Sequence, residues 1–161
     1  MAGSFDIIPH LIALAIAYAL AVPIGWNRER EERSAGIRTF PLVAVASCGF
    51  VQAVEGLTAD DPAAMARVLE GVIAGVGFLG GGAILQQRGS VRGTATAASL
   101  WVTGAIGVAA GLGSFDVAVA LAVFTMATLW LMRPLKPEDN ERGDDAPDEP
   151  DGPVRDQRRA G

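Results

Sequence analysis

One cysteine, one histidine and one tyrosine are all that this chain of 161 residues has of those types, and aromatic side chains make up only 6% of it. A lone Cys48 excludes an internal disulfide, and its place in an apolar run reads as a small buried thiol. His10 stands alone, and nowhere do His, Cys and carboxylates recur at metal-ligand spacing. No nucleophile, base and orienting group fall together either, so neither enzyme chemistry nor a cofactor is expected. Basic residues are not in excess, with 13 Lys and Arg against 18 Asp and Glu, which removes the electrostatic footprint of nucleic-acid binding. The acidic balance is local: residues 137–161 hold nine of the acids and four of the bases, whereas residues 1–136 hold nine of each. The net charge of -5 therefore belongs to the tail.

What the chain has instead is Ala, Val, Leu, Ile and Gly in long blocks. Half of the residues are apolar and the mean hydropathy is positive at +0.33, the pattern of membrane spans rather than of a soluble core. Between Asp6 and Arg28 the single side chain that ionises near neutral pH is His10, leaving IIPHLIALAIAYALAVPIGWN, long enough as a helix to cross about 30 Å of hydrocarbon. No basic residue precedes this block and no small-residue cleavage site closes it, so it is expected to stay in the mature protein. Further blocks run from Thr39 to about Leu57, Gly71 to Gln87, Gly93 to Gly111 and Phe115 to Met132. Pro23 predicts a kink and Pro41 a helix start. The expected fold is an all-α integral membrane protein with about five transmembrane helices over residues 1–136. Residues 137–161, rich in charge, Pro and Gly, read as a disordered acidic cytoplasmic tail.

Arginine placement sets the orientation, because cytoplasmic loops retain Lys and Arg. Arg28, Arg30, Arg33 and Arg38 fall in the first loop, Arg88 and Arg92 in the third, and Arg133 and Lys136 after the fifth span. The N-terminus with Asp6, the TADDPAAMA loop with Asp60 and Asp61, and the GLGSFD turn with Asp116 lack a base. The N-terminus is thus expected outside and the C-terminus inside.

Residues 75–82 read GVGFLGGG, whose first six match the dinucleotide fingerprint G-x-G-x-x-G. That fingerprint has meaning at a strand-to-helix turn with an acid about 20 residues on. Here no acid follows until Asp116, so no dinucleotide is expected. In lipid, small residues let helix backbones approach closely. Gly71, Gly75, Gly77, Gly80, Gly81 and Gly82 in the third span, with Gly107 and Gly111 in the fourth, read as helix-packing positions. A second reading stays open for Gly80, Gly81 and Gly82: local unwinding that exposes carbonyls to a cation.

The first loop, NREREERSAGIRTF, is the densest polar element. Arg30, Glu31, Glu32 and Arg33 read as a solvated stretch against lipid headgroups. Arg28 and Arg38 abut span ends, with polar Asn27 and Thr39 beside them, and groups at that depth are costly unless paired, which makes them site candidates. Arg67 and Glu70, three apart on one helical face, are either a structural pair or a functional one. Arg88 and Arg92 complete the basic candidates. Thr94, Thr96, Ser99 and Thr103 place hydroxyls along the fourth span, where bonding back to the preceding turn is the ordinary outcome.

Three stretches carry a family resemblance: AGIRTFPLVAVAS (Ala35–Ser47) after IGWNRERE, GVGFLGGGAIL (Gly75–Leu85), and VRGTATAASLWVTGAIGVAAGLG (Val91–Gly113). In this order and spacing the chain resembles the MgtC/SapB membrane proteins. The resemblance implies a small multi-pass protein of the bacterial inner (plasma) membrane, associated with growth at low magnesium. The family pattern G-x-E-R-E places an acid where this chain has Asn27, between Gly25 and the Arg28–Glu29 pair. Glu70 stands where a neutral residue is more usual in the family. The implied function is a non-enzymatic regulator or accessory protein that contacts another membrane complex or a second copy of itself. A transporter or channel for a cation of the Mg2+ type is the alternative, and Mg2+ would call for carboxylates or a carbonyl ring that the span centres do not supply from side chains.

Overall fold

The computed structural model describes residues 7–31, 35–58, 61–87 and 90–132. The expected acidic tail, and Glu32, Arg33 and Arg88, lie outside the described residues. Five helices and one short hairpin follow in order: α1 (Ile7–Glu31), α2 (Thr39–Thr58), α3 (Pro62–Gly82), β1 (Leu85–Gln87), β2 (Ser90–Arg92), α4 (Thr94–Gly111) and α5 (Phe115–Leu131). The chain is an all-α membrane protein. Helices α1 to α4 are long and apolar enough to cross a bilayer. Helix α5 has 17 residues, about 25 Å at about 1.5 Å per residue, against a hydrocarbon core of about 30 Å.

Helix α4 is the hub, packing against α1, α2, α3 and α5. Its residues explain why. Gly104, Gly107 and Gly111 strip side chains from the surface that meets α2 and α3, and Ala109 and Ala110 keep the remaining buried face small. A Cβ on Gly107 would overlap the carbonyl oxygen of Ala44 and lie 2.8 Å from Ser47 Cβ; one on Gly111 would lie 2.9 Å from Cys48 O. Advancing four residues on α4 advances four on α2, so these two helices run parallel. The hydroxyls buried in α4 bond back one turn, Ser99 Oγ donating to Ala95 O at 2.7 Å and Thr103 Oγ1 to Ser99 O at 2.8 Å, so they enter the core with their polarity satisfied.

The structure departs from the sequence reading at several boundaries. Helix α1 runs on to Glu31 rather than ending near Asn27, with Pro23 inside it. Helix α3 begins at Pro62, where proline's missing N–H costs nothing in the first turn. Asp61 caps it, Oδ1 accepting from Ala63 N at 3.0 Å and Ala64 N at 3.1 Å. Its far end falls at Gly82, and the expected span residues 85–87 instead pair antiparallel with 90–92. Gly80, Gly81 and Gly82 therefore close α3 rather than break it, and the carbonyls of Leu79, Gly80 and Gly81 accept from the amides of Ala83 and Ile84. Gly93, at φ +89, turns the chain from the hairpin into α4 where any Cβ would overlap Ala83 O.

Candidate functional site

The parallel course of α2 and α4 places their N-terminal ends together, beside the C-terminal end of α1 and the hairpin. Arg28, Arg30, Arg38 and Arg92 gather at this end of the bundle. At the opposite end are His10, Glu55, Asp61 and Asp116. Arg67 is the exception, lying on α3 less than two turns from Pro62.

At the arginine-rich end, Arg28 is the one charged side chain among the described residues that is buried, at 3% exposure. A guanidinium placed there requires acceptors. Asn27 Oδ1 accepts from Arg28 Nη2 at 2.9 Å and from Nε at 3.3 Å, and Glu31 Oε2 lies 3.7 Å from Nη2. Glu31, read from the sequence as part of a solvated loop, is instead mostly buried, because α1 continues and puts it one helical turn beyond Arg28. The i, i+3 spacing carried that signal, but only for a helix that had not ended.

Glu29 faces the other way. Its carboxylate accepts from Ile37 N at 2.6 Å and fills the space where Gly36 would carry a Cβ. Gly25 gives similar room, since a Cβ there would stand 3.2 Å from both Ile37 Cα and Phe40 Cβ. Gly36 and Ile37, just before α2, thus pack over the last turns of α1, held by Glu29 and admitted by two glycines. Asn27, Arg28 and Glu29, consecutive in sequence, together fix this corner.

The other candidates are dispersed. Arg38 is exposed and Thr39 half-buried, and both line a groove between α2 and α3 of about 730 Å3. Arg67 and Glu70 are exposed on α3 and form no ion pair with each other. Arg92 is exposed on β2. Arg30 stacks 4.8 Å over the exposed Trp26 ring, which suits an amphipathic pair at a membrane surface. The expected packing glycines divide. Gly80, Gly107 and Gly111 meet neighbouring backbone, whereas Gly71, Gly75, Gly77, Gly81 and Gly82 have nothing among the described residues outside their own helix backbone within 4 Å of a Cβ position. Gly104, not singled out from the sequence, packs where a Cβ would stand 2.8 Å from Val76 Cγ2.

One contact was invisible in the sequence. His10 Nε2 lies 3.7 Å from Glu55 Oε2, and Gln52 Nε2 donates to His10 O at 3.3 Å, tying α1 to α2 at the end opposite Arg28. Among the described residues no group of three or more His, Cys, Asp or Glu lies close enough to hold a metal ion.

The arginine-rich corner, the glycine-closed α3 and the glycine-bearing α4 coincide with a family match. The MgtC family profile matches residues 14–137. The chain belongs to the MgtC family. It is 36% identical over 125 residues to Protein MgtC of Salmonella typhimurium strain 14028s, covering 78% of this chain and 53% of the relative. It is 41% identical over 122 residues to Protein MgtC of Brucella abortus strain 2308, covering 76% and 50%. Protein SrpB of Synechococcus elongatus is 40% identical over 128 residues, covering 72% of this chain and 70% of SrpB. The chain thus spans about half the length of the MgtC relatives. No solved structure matches. The MgtC match takes in α1 from Leu14, the corner at Arg28 and every later helix.

Proposed function

We propose that this MgtC-family chain is a non-enzymatic regulator or accessory protein of the bacterial inner membrane, linked to magnesium limitation and acting through helix contacts with another membrane protein. The observation that carries this reading is the outer face of α3. Gly77 and Gly81 lie there one turn apart, turned about 60° and about 100° around the helix from Gly80, which packs on Ala97. Both have open space where a Cβ would stand, so a partner helix is free to approach the α3 backbone closely. The link to magnesium rests on the MgtC name of relatives at 36–41% identity. The arginine-rich end faces the cytoplasm in this proposal, following the distribution of Arg28, Arg30, Arg38 and Arg92.

The test is growth of a strain deleted for the gene in magnesium-limited and magnesium-replete medium, with wild-type and variant genes supplied at matched membrane levels. Wild type is expected to rescue a defect confined to low magnesium. Gly77→Leu and Gly81→Leu, which alter the outer face without crowding the bundle, are expected to fail, as is Arg28→Ala. Arg30→Ala is expected to rescue. Full rescue by both leucine variants would remove the helix-contact reading, and Mg2+ flux through liposomes holding only the purified chain would replace it with cation transport.

A further inference from the structure

The groove between α2 and α3 differs in kind from the outer face of α3. Leu42, Phe50 and Val54 form one wall and Val68, Val72 and Leu79 the other. Gly71 and Gly75 line its α3 side, each with nothing among the described residues outside its own helix backbone within 4 Å of a Cβ position. Its volume of about 730 Å3 lies in the range of pockets that enclose small ligands, about 300–1,000 Å3. From Arg38 to Val54 it follows α2 for about 24 Å at about 1.5 Å per residue. That exceeds the depth of one leaflet, about half of a 30 Å hydrocarbon core. The lining is apolar along its length save for Ser47, which is buried at 2% exposure, and polar at one end, where Arg38 and the hydroxyl-bearing Thr39 stand. Arg38 is exposed, and no hydrogen bond or ion pair engages its guanidinium among the described residues.

A largely apolar trough long enough to cross one leaflet, with a cation at its mouth, has the polarity of a phospholipid. We propose that the α2–α3 groove is a binding site for an anionic phospholipid, with an acyl chain lying between Phe50 and Val72 and the headgroup phosphate on the Arg38 guanidinium. A guanidinium presents paired N–H donors that match phosphate oxygens two at a time, and Thr39 adds a hydroxyl beside it. A partner helix fits this site less well, because it would set the Arg38 cation against its own apolar surface. The two glycines have a purpose in this assignment: they give the groove its depth, as side chains at those positions would fill it.

Native mass spectrometry of the full chain, released from vesicles of equimolar phosphatidylglycerol and phosphatidylcholine, tests the site. The wild type is expected to retain one phosphatidylglycerol with about a fivefold preference over phosphatidylcholine, the worth of one surface cation toward an anionic lipid. Arg38→Gln is expected to keep a bound lipid but lose the preference, Arg38→Lys to keep part of it, and Gly75→Leu to lose the lipid altogether. Arg30→Gln removes the same charge from the same end and is expected to leave retention unchanged. Equal loss in Arg30→Gln and Arg38→Gln would reduce the effect to general surface charge and overturn the site. So would an unselective wild type, or a co-purifying protein segment that occupies the groove in place of lipid.

Discussion

Gly107→Ala adds one methyl group at the point where α4 crosses α2. That methyl would overlap the carbonyl oxygen of Ala44 and stand 2.8 Å from Ser47 Cβ and 2.9 Å from Ala44 C. The Ala44 carbonyl is backbone, so no side-chain rotation relieves the clash, and the helices must separate. Overpacking of this kind costs about 1–3 kcal/mol. Alanine also gains about 1 kcal/mol over glycine inside a helix, which masks part of the loss. Gly77→Ala isolates that gain, because its methyl meets nothing within 4 Å. The difference between the two variants therefore leaves the packing cost alone, about 1–3 kcal/mol, with Gly107→Ala the less stable. Equilibrium unfolding in mixed micelles with increasing dodecyl sulfate, read by tryptophan fluorescence, measures it. A difference below about 0.5 kcal/mol, the usual spread for neutral surface changes, would refute the close approach of α2 and α4 and with it the central position of α4.

Two further outcomes come from the same assay. Gly93→Ala is expected to lose more than Gly113→Ala: both positions have positive φ, of 89° and 74°, and carry the left-handed penalty of about 1–2 kcal/mol, but Gly93 alone would drive its Cβ into Ala83 O; equal losses would refute the tight turn after the hairpin. Glu31→Gln is expected to cost about 1–3 kcal/mol by withdrawing the anion nearest a buried guanidinium, whereas Arg30→Gln, at an exposed position, should stay within about 0.5 kcal/mol; a Glu31 variant as stable as wild type would return that residue to the solvated surface.

The membrane class and the order of the helices were legible because hydrocarbon enforces them: long uncharged blocks have no other stable form in a bilayer. Helix ends were less legible where polarity and helicity part company. Asn27 to Glu31 are polar and yet helical, since Arg28 and Glu31 meet across one helical turn away from water and Glu29 accepts from Ile37 N. Residues 85–87 are apolar enough at their start to extend a span, yet they pair with 90–92, because three glycines end α3 and a fourth, Gly93, permits the return. At the site, Arg28 was marked by its depth. Its partner Glu31 was hidden by the misplaced helix end, and the His10–Glu55 contact by a sequence separation that only the packing of α1 on α2 closes.

The glycines show why a spacing pattern alone does not locate an interface. Gly77-x-x-x-Gly81 and Gly107-x-x-x-Gly111 are the same pattern, but the second is closed against α2 and the first faces away from the bundle. The distinction lies in the rest of each helix. Around Gly107, α4 carries hydroxyls that satisfy themselves within the helix and small side chains that are buried on several sides, so α4 is suited to neighbours all round. Helix α3 carries Ile73, Phe78 and Leu79 exposed among its glycines, which suits lipid on most of its surface and one narrow backbone contact. Because both glycine pairs remove side chains to the same extent, the intrachain pair contributes to stability, whereas the outer pair is left without a stability role in the single chain. Loss of function in Gly77→Leu or Gly81→Leu at unchanged unfolding would therefore locate the missing contact outside this chain.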